Sequence, residues 1–149
     1  MDRFQYEPLD LEGGPFRLLR LLCSRDREAA IACELFEASG DRLTTRFEAL
    51  SYTWGSTKRA RNITVNGKPL AITENLHAAL FELRLPEDRI LWIDAICIDQ
   101  KNEKERGHQV QQMGYIFGQA RRVIFWLGGA TPETNLLIDS MKPIEQAID

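Results

Sequence analysis

The chain has 149 residues, of which 44% are hydrophobic, 28% charged and 9% aromatic. That is the length of one domain, roughly 100–150 residues, and enough chain to bury a core without a disulfide or metal staple. A net charge of −3 argues against a binder held to nucleic acid by phosphate contacts, and the apolar content excludes a disordered or collagen-like chain.

The first 46 residues are the least regular. Phe16 to Leu22 reads as a strand interrupted by Arg17 and Arg20, and Ala32 to Ala38 as its antiparallel partner or a short helix. Gly13-Gly14-Pro15 and Ser39-Gly40-Asp41 mark turns. Phe47 to Gly55 is rich in aromatic and small residues and reads as a strand ending in a glycine turn. Ile63 to Val65 and Lys68 to Ile72 flank Asn66-Gly67, the pair that accepts a type I′ turn, so a hairpin is expected, with Pro69 on an edge strand. Thr73 caps a helix running to about Arg84, with Leu76, Leu80 and Leu83 on one face, and Pro86 ends it.

Ile90 to Asp99 opens with a nearly continuous apolar run, the pattern of a strand covered on both faces. A polar stretch from Gln100 to His108 leads into a helix with Val110, Met113, Phe117 and Ala120 at helical spacing and Arg121-Arg122 near its C-terminal dipole. Val123 to Gly128 reads as a second doubly covered strand. Thr131-Pro132-Glu133 starts a helix carrying Leu137, Met141, Ile144 and Ile148, which Pro143 kinks or stops. Strands alternating with helices from Phe47 onward imply a mainly parallel sheet with right-handed crossovers. The expected organisation is a single domain over 1–149. It comprises an N-terminal β extension (1–46) and an α/β core (47–149) into which the hairpin is inserted.

Cys23, Cys33 and Cys97 are odd in number and contain no CxxC pair, which fits a reducing compartment better than a disulfide framework. His77 and His108 are distant in sequence from each other and from the cysteines, so no metal is expected. The N-terminus has no apolar signal core and no run approaches 18 apolar residues, so the expectation is a cytoplasmic chain with no membrane partner. Without an export signal, Asn62-Ile63-Thr64 reads as a chance glycosylation pattern. There is no P-loop, no GxGxxG and no GxSxG elbow, which removes kinase, dinucleotide dehydrogenase and hydrolase readings.

Open parallel sheets bind ligands at the carboxyl ends of their strands. Here those ends are Tyr52 to Gly55, Asp94 to Gln100 and Gly128 to Glu133. Ser51 and Tyr52 offer hydroxyls, Trp54 a stacking surface, Gly55 close backbone approach, and Arg106 a phosphate partner. Asp94, Glu105 and Glu133 are the candidate carboxylates, and Asp99 and Gln100 share the loop after the Ile90 strand. Each also has a structural reading. Trp92 and Trp126 suit a core, Trp54 suits a core or a platform, and Asp94 suits an acceptor for loop amides. Asp99 suits a turn, Glu105 with Arg106 a solvated helix face, Cys97 a buried inert thiol in the strand, and Glu133 a first-turn acid.

Three blocks stand in order: Ala49-Leu50-Ser51-Tyr52-Thr53-Trp54-Gly55; Leu91-Trp92-Ile93-Asp94-Ala95-Ile96-Cys97-Ile98-Asp99-Gln100; and Glu105-Arg106, Gln109-Val110 and Met113 followed by Val123 to Gly128. Together they resemble the fungal heterokaryon incompatibility (HET) domain over about Tyr6 to Gly128, with Tyr6-Glu7-Pro8-Leu9 similar to its opening block. The resemblance implies a role in fungal non-self recognition ending in growth arrest or cell death. It also implies a TIR-like, flavodoxin-like three-layer fold, with the Phe47, Ile90 and Val123 strands as the first three strands. Some TIR domains hydrolyse NAD⁺ with a glutamate early in the helix after the third strand, and by order alone Glu133 matches it. Two readings follow: an NAD⁺ glycohydrolase with Glu133 or Glu105 as catalytic carboxylate, or a non-enzymatic module that self-associates or recruits a regulatory protein. NAD⁺ enters as a candidate dinucleotide substrate, and no cofactor is expected.

Overall fold

The computed structural model describes residues 3–10, 14–26, 28–39, 45–52, 59–84, 87–126 and 137–138. In chain order the elements are β1 (Pro15–Leu21), β2 (Ala32–Ser39), β3 (Glu48–Tyr52), β4 (Arg59–Val65), β5 (Lys68–Thr73), α1 (Glu74–Leu83), β6 (Arg89–Trp92), α2 (Asp94–Cys97), α3 (Glu103–Gln119), β7 (Arg122–Trp126) and β8 (Leu137–Ile138). Among the described residues the strands form one sheet in the order β5-β4-β2-β1-β6-β3-β7-β8.

The sheet is mixed, not mainly parallel as the alternating pattern suggests. Three neighbouring pairs are parallel, β2–β4, β3–β6 and β3–β7. The remaining four are antiparallel. The difference arises at β1 and β2, which sit between β4 and β6. All of β1 except Arg20 is buried, the signature of a strand covered on both faces. Its apolar residues therefore complete the core beside β6.

The hairpin forms as its turn chemistry dictates. Asn66 and Gly67 take φ values of 51° and 82°, β4 pairs with β5 across them, and β5 is the sheet edge that tolerates Pro69. The Asn66 side chain also bonds the backbone of Leu35, tying the turn to β2. Thr73 caps α1 by accepting from the Leu76 amide at 3.3 Å, and Leu76, Ala79, Leu80 and Leu83 form the buried face. The helix packs on β4 and β5.

The segment from Ile90 to Asp99 departs from expectation. β6 ends at Trp92, Ile93 stays extended, and Asp94–Cys97 form one helical turn in which the Cys97 amide donates to the Ile93 carbonyl at 2.7 Å. Ile96, Cys97 and Ile98 are as buried as Leu91 and Trp92. An apolar run without alternation cannot distinguish a buried turn of helix from a buried strand. The next helix also begins earlier than the apolar spacing indicates. Asn102 caps it by accepting from the Glu105 amide at 3.1 Å. Its buried stripe is Glu105, Gln109 and Ile116, while Val110, expected on the core face, is 55% exposed.

Phe16, Leu18, Leu50, Leu91, Trp92 and Ile124 are among the residues filling the core, and Trp92 meets the Phe117 ring edge-on at 5.4 Å. No described helix is long and apolar enough to cross a membrane.

Candidate functional site

β3 lies between β6 and β7, parallel to both: the chain leaves β3 toward the β6 side, and after β6 it crosses back past β3 to β7. Such a reversal of strand order opens a crevice outside the carboxyl ends. Ser51 and Tyr52 end β3, where they pair with Phe125 and Trp126 of β7. On the other side Ala49 pairs with Trp92. β6 ends at that pair, and Asp94 opens the helical turn α2 two residues beyond it.

Ser51, Tyr52 and Asp94 are all half-buried. Burial raises the Asp94 carboxyl above its ordinary range, partly offset by bonds from the Ala95 amide and its own. Gln100 donates through Nε2 to the Asp94 carbonyl at 2.8 Å, and Arg106 through Nη1 to the Gln100 carbonyl at 3.3 Å. The structure thus links Asp94, Gln100 and Arg106 along one rim. The Trp126 indole N–H, level with Tyr52, is buried with no hydrogen-bond partner among the described residues. Trp54, Gly55 and Glu133 lie outside the described residues; of the helix expected from Thr131 only Leu137–Ile138 are described, and they form strand β8 against β7 instead, because pairing with Phe125 and Trp126 at the sheet edge overrides the helical spacing.

Glu105 occupies a different setting from the solvated pair with Arg106. It is 2% exposed and faces Arg17, 5% exposed, across 88 positions of sequence. Arg17 Nη1 donates to Oε2 at 2.6 Å and Nη2 to Oε1 at 2.8 Å. The Asp99 amide donates to the same Oε2 at 2.8 Å. Both carboxylate oxygens are therefore engaged, and the group acts as a tether for the loop carrying Asp99 and Gln100. The guanidinium of Arg17 also donates to the carbonyls of Cys97 and Glu7, and lies 4.9 Å from the centre of the Tyr6 ring. The Tyr6 hydroxyl donates to the Ile96 carbonyl at 2.6 Å. Gln109, fully buried, completes the lock by donating to the Pro15 carbonyl at 2.8 Å.

Of this lock the sequence singles out Glu105, as a candidate catalytic carboxylate, but not its partner Arg17. Arg17 was visible only as an interruption of an apolar strand. An arginine in a strand covered on both faces has to be paired, and that is the signal that could have exposed it. Cys97 is fully buried in α2, where its Sγ accepts from the Ile93 amide at 3.4 Å and desolvation pushes its pKa up to about 12. That environment suppresses the thiolate.

One mixed sheet with helices makes this an α/β domain, and the comparisons name its kind. The heterokaryon incompatibility protein (HET) family model matches residues 47–148, and the chain belongs to that family. It is similar to heterokaryon incompatibility protein 6, OR allele, of Neurospora crassa, with 35% identity over 112 residues. The match spans 66% of this chain but only 16% of that relative's length. No solved structure matches the chain.

Proposed function

We propose that this chain is an effector domain of heterokaryon incompatibility, which brings about growth arrest or death of fused fungal cells by TIR-like hydrolysis of NAD⁺. The reaction breaks the bond between nicotinamide and ribose through an oxocarbenium-like state, which a nearby carboxylate stabilises when water is excluded. The observation that carries the reading is the β6-β3-β7 order, with Ser51 and Tyr52 ending β3 and Asp94 following two residues after the end of β6. Asp94 supplies a desolvated carboxylate there, and Gln100 and Arg106 supply polar groups for the diphosphate. Glu133 remains a candidate by its order in the chain. The placement of Phe47, Ile90 and Val123 as the first three TIR-type strands belongs to the same proposal.

The test is nicotinamide release from NAD⁺ by the purified chain, alone and forced to oligomerise. Turnover abolished by Asp94→Asn, Glu133→Gln or Trp54→Ala supports the proposal. No turnover in either state, or turnover indifferent to all three changes, removes it.

The exposure of Val110 and Tyr115 on α3 favours a second reading, a module that signals by self-association or by recruiting a regulatory protein. Its mark is assembly that grows with concentration, is reduced by Val110→Asp, and occurs without nucleotide turnover.

A further inference from the structure

The amino ends of β3, β6 and β7 lie opposite the rim just described. Between them is a cavity of about 330 Å³ whose lining includes Arg46, Arg89, Arg121 and Arg122. From its geometry we infer that this cleft binds a small phosphate-bearing anion, independently of the chemistry assigned to the carboxyl rim.

Four arginines line this cavity on a chain whose net charge is −3, and no lysine does. Glu48, Glu87 and Asp88 line the same cavity, so four positive side chains stand against three negative ones. Glu48 accepts from Arg89 Nη1 at 3.1 Å through one oxygen and from Arg122 Nε through the other, so one negative charge serves two positive ones. Asp88 accepts from the Cys23 amide at 2.7 Å, which ties it to the loop after β1. Glu87 is exposed at the margin. Arg46 and Arg121 are exposed and make no ion pair with any described residue. Their backbones are held close together, because the Arg121 amide donates to the Phe47 carbonyl at 2.7 Å.

Glu48 therefore fixes Arg89 and Arg122, while Arg46 and Arg121, exposed and outside any described ion pair, are the lining arginines left to meet an anion. Planar guanidinium forks match the oxygens of a phosphate, and the cavity lies within the size range of small-molecule sites, roughly 300–1,000 Å³.

The experiment is a calorimetric titration of the full chain with pyrophosphate, beside sulfate at matched ionic strength. Saturable binding of pyrophosphate is expected, weakened about tenfold by Arg46→Ala or Arg121→Ala and unchanged by Arg25→Ala. Both cleft arginines are exposed, and circular dichroism verifies that the variants remain folded. A further readout is amide shifts on adding pyrophosphate, confined to Arg46–Glu48, Arg89 and Arg121–Arg122. Equal responses to sulfate and pyrophosphate, full affinity in both variants, or shifts concentrated at Asp94 and Gln100 instead would each overturn the inference.

Discussion

Arg17 and Glu105 form a buried bidentate pair, with donor–acceptor distances of 2.6 and 2.8 Å, that fastens the centre of the sheet to the first turn of α3. Removing one partner leaves the other charged in a dry interior, which costs about 3–5 kcal/mol, whereas replacing both with apolar groups removes the uncompensated charge. Glu105→Leu is accordingly expected to lower the free energy of urea unfolding severely. Combining it with Arg17→Met should restore a substantial part. A double variant as unstable as the sum of its parents would show that the two residues are not coupled.

Tyr6 attaches the N-terminal segment to the same pair in two ways, by its hydroxyl on Ile96 and its ring beside Arg17. Tyr6→Phe deletes only the hydroxyl and should cost about 1 kcal/mol. Tyr6→Ala also deletes the ring and its cation–π contact, so it should cost more by at least ~0.5 kcal/mol. Equilibrium denaturation of the two variants separates these contributions, and equal losses would mean that the ring contact is idle.

Local chemistry made much of this fold legible. The Asn66-Gly67 turn, the Thr73 cap and the β7 run each declare themselves within a few residues. The lock did not, because Glu105 and Arg17 are 88 positions apart, and an arginine inside an apolar strand demands a partner without naming which one. In α3 the apolar spacing through Val110 and Met113 drew attention from the stripe that is buried, which carries Glu105 and Gln109. A polar residue can face the core when a distant partner satisfies it, and hydropathy alone cannot register that. At α2 the obstacle is different, because an apolar run without alternation fits a buried turn of helix as well as a strand. At the rim, Asp94 and Gln100 were identifiable as site candidates, but the bond joining them depends on the helical turn that intervenes.

Two glycines with positive φ should respond differently to alanine. Gly67, at +82°, has nothing within 4 Å of an added Cβ, so Gly67→Ala should cost only the backbone penalty of about 1–2 kcal/mol. At Gly14, with φ +68°, the Cβ would lie 2.7 Å from Gln112 Oε1, while Gln112 Nε2 donates to the Pro15 carbonyl. Gly14→Ala should therefore be the more damaging change, and the excess should disappear in a Gln112→Ala background. A thermal-melt comparison of the four variants decides this.

The thiols of Cys33 and Cys97 make the chain sensitive to alkali. Burial pushes both pKa values up to about 12 from an ordinary 9.0, so each stays protonated in the folded state after its unfolded counterpart has ionised. Unfolding then releases protons, and the stability these thiols contribute is complete below pH 9 and falls as the pH rises toward 12. Desolvation of the Tyr6 phenol acts in the same direction at still higher pH. Denaturation curves at successive pH values should show this decline, with a shallower slope in Cys97→Ala whatever its baseline stability. In the native protein a thiol reagent should modify Cys23, the exposed cysteine, before either buried one.

Asp94 permits a sharper separation of catalysis from structure. Its carboxyl is raised above 3.8 by desolvation, so it protonates more readily in the folded chain than in the unfolded one. For stability this means a contribution that is full below the unfolded value and lost as the pH rises through the folded value. Asp94→Asn removes that liability and should leave the chain at least as stable at pH 7. For nicotinamide release the dependence runs the other way, because the anion is the form that stabilises positive charge on the ribose. Turnover should decline as the pH falls through the raised pKa, at a higher pH than an exposed aspartate would set. Asn at this position should abolish both turnover and that limb of the profile. An Asp94→Asn chain that is well folded and retains the acidic limb would transfer the catalytic role to another carboxylate.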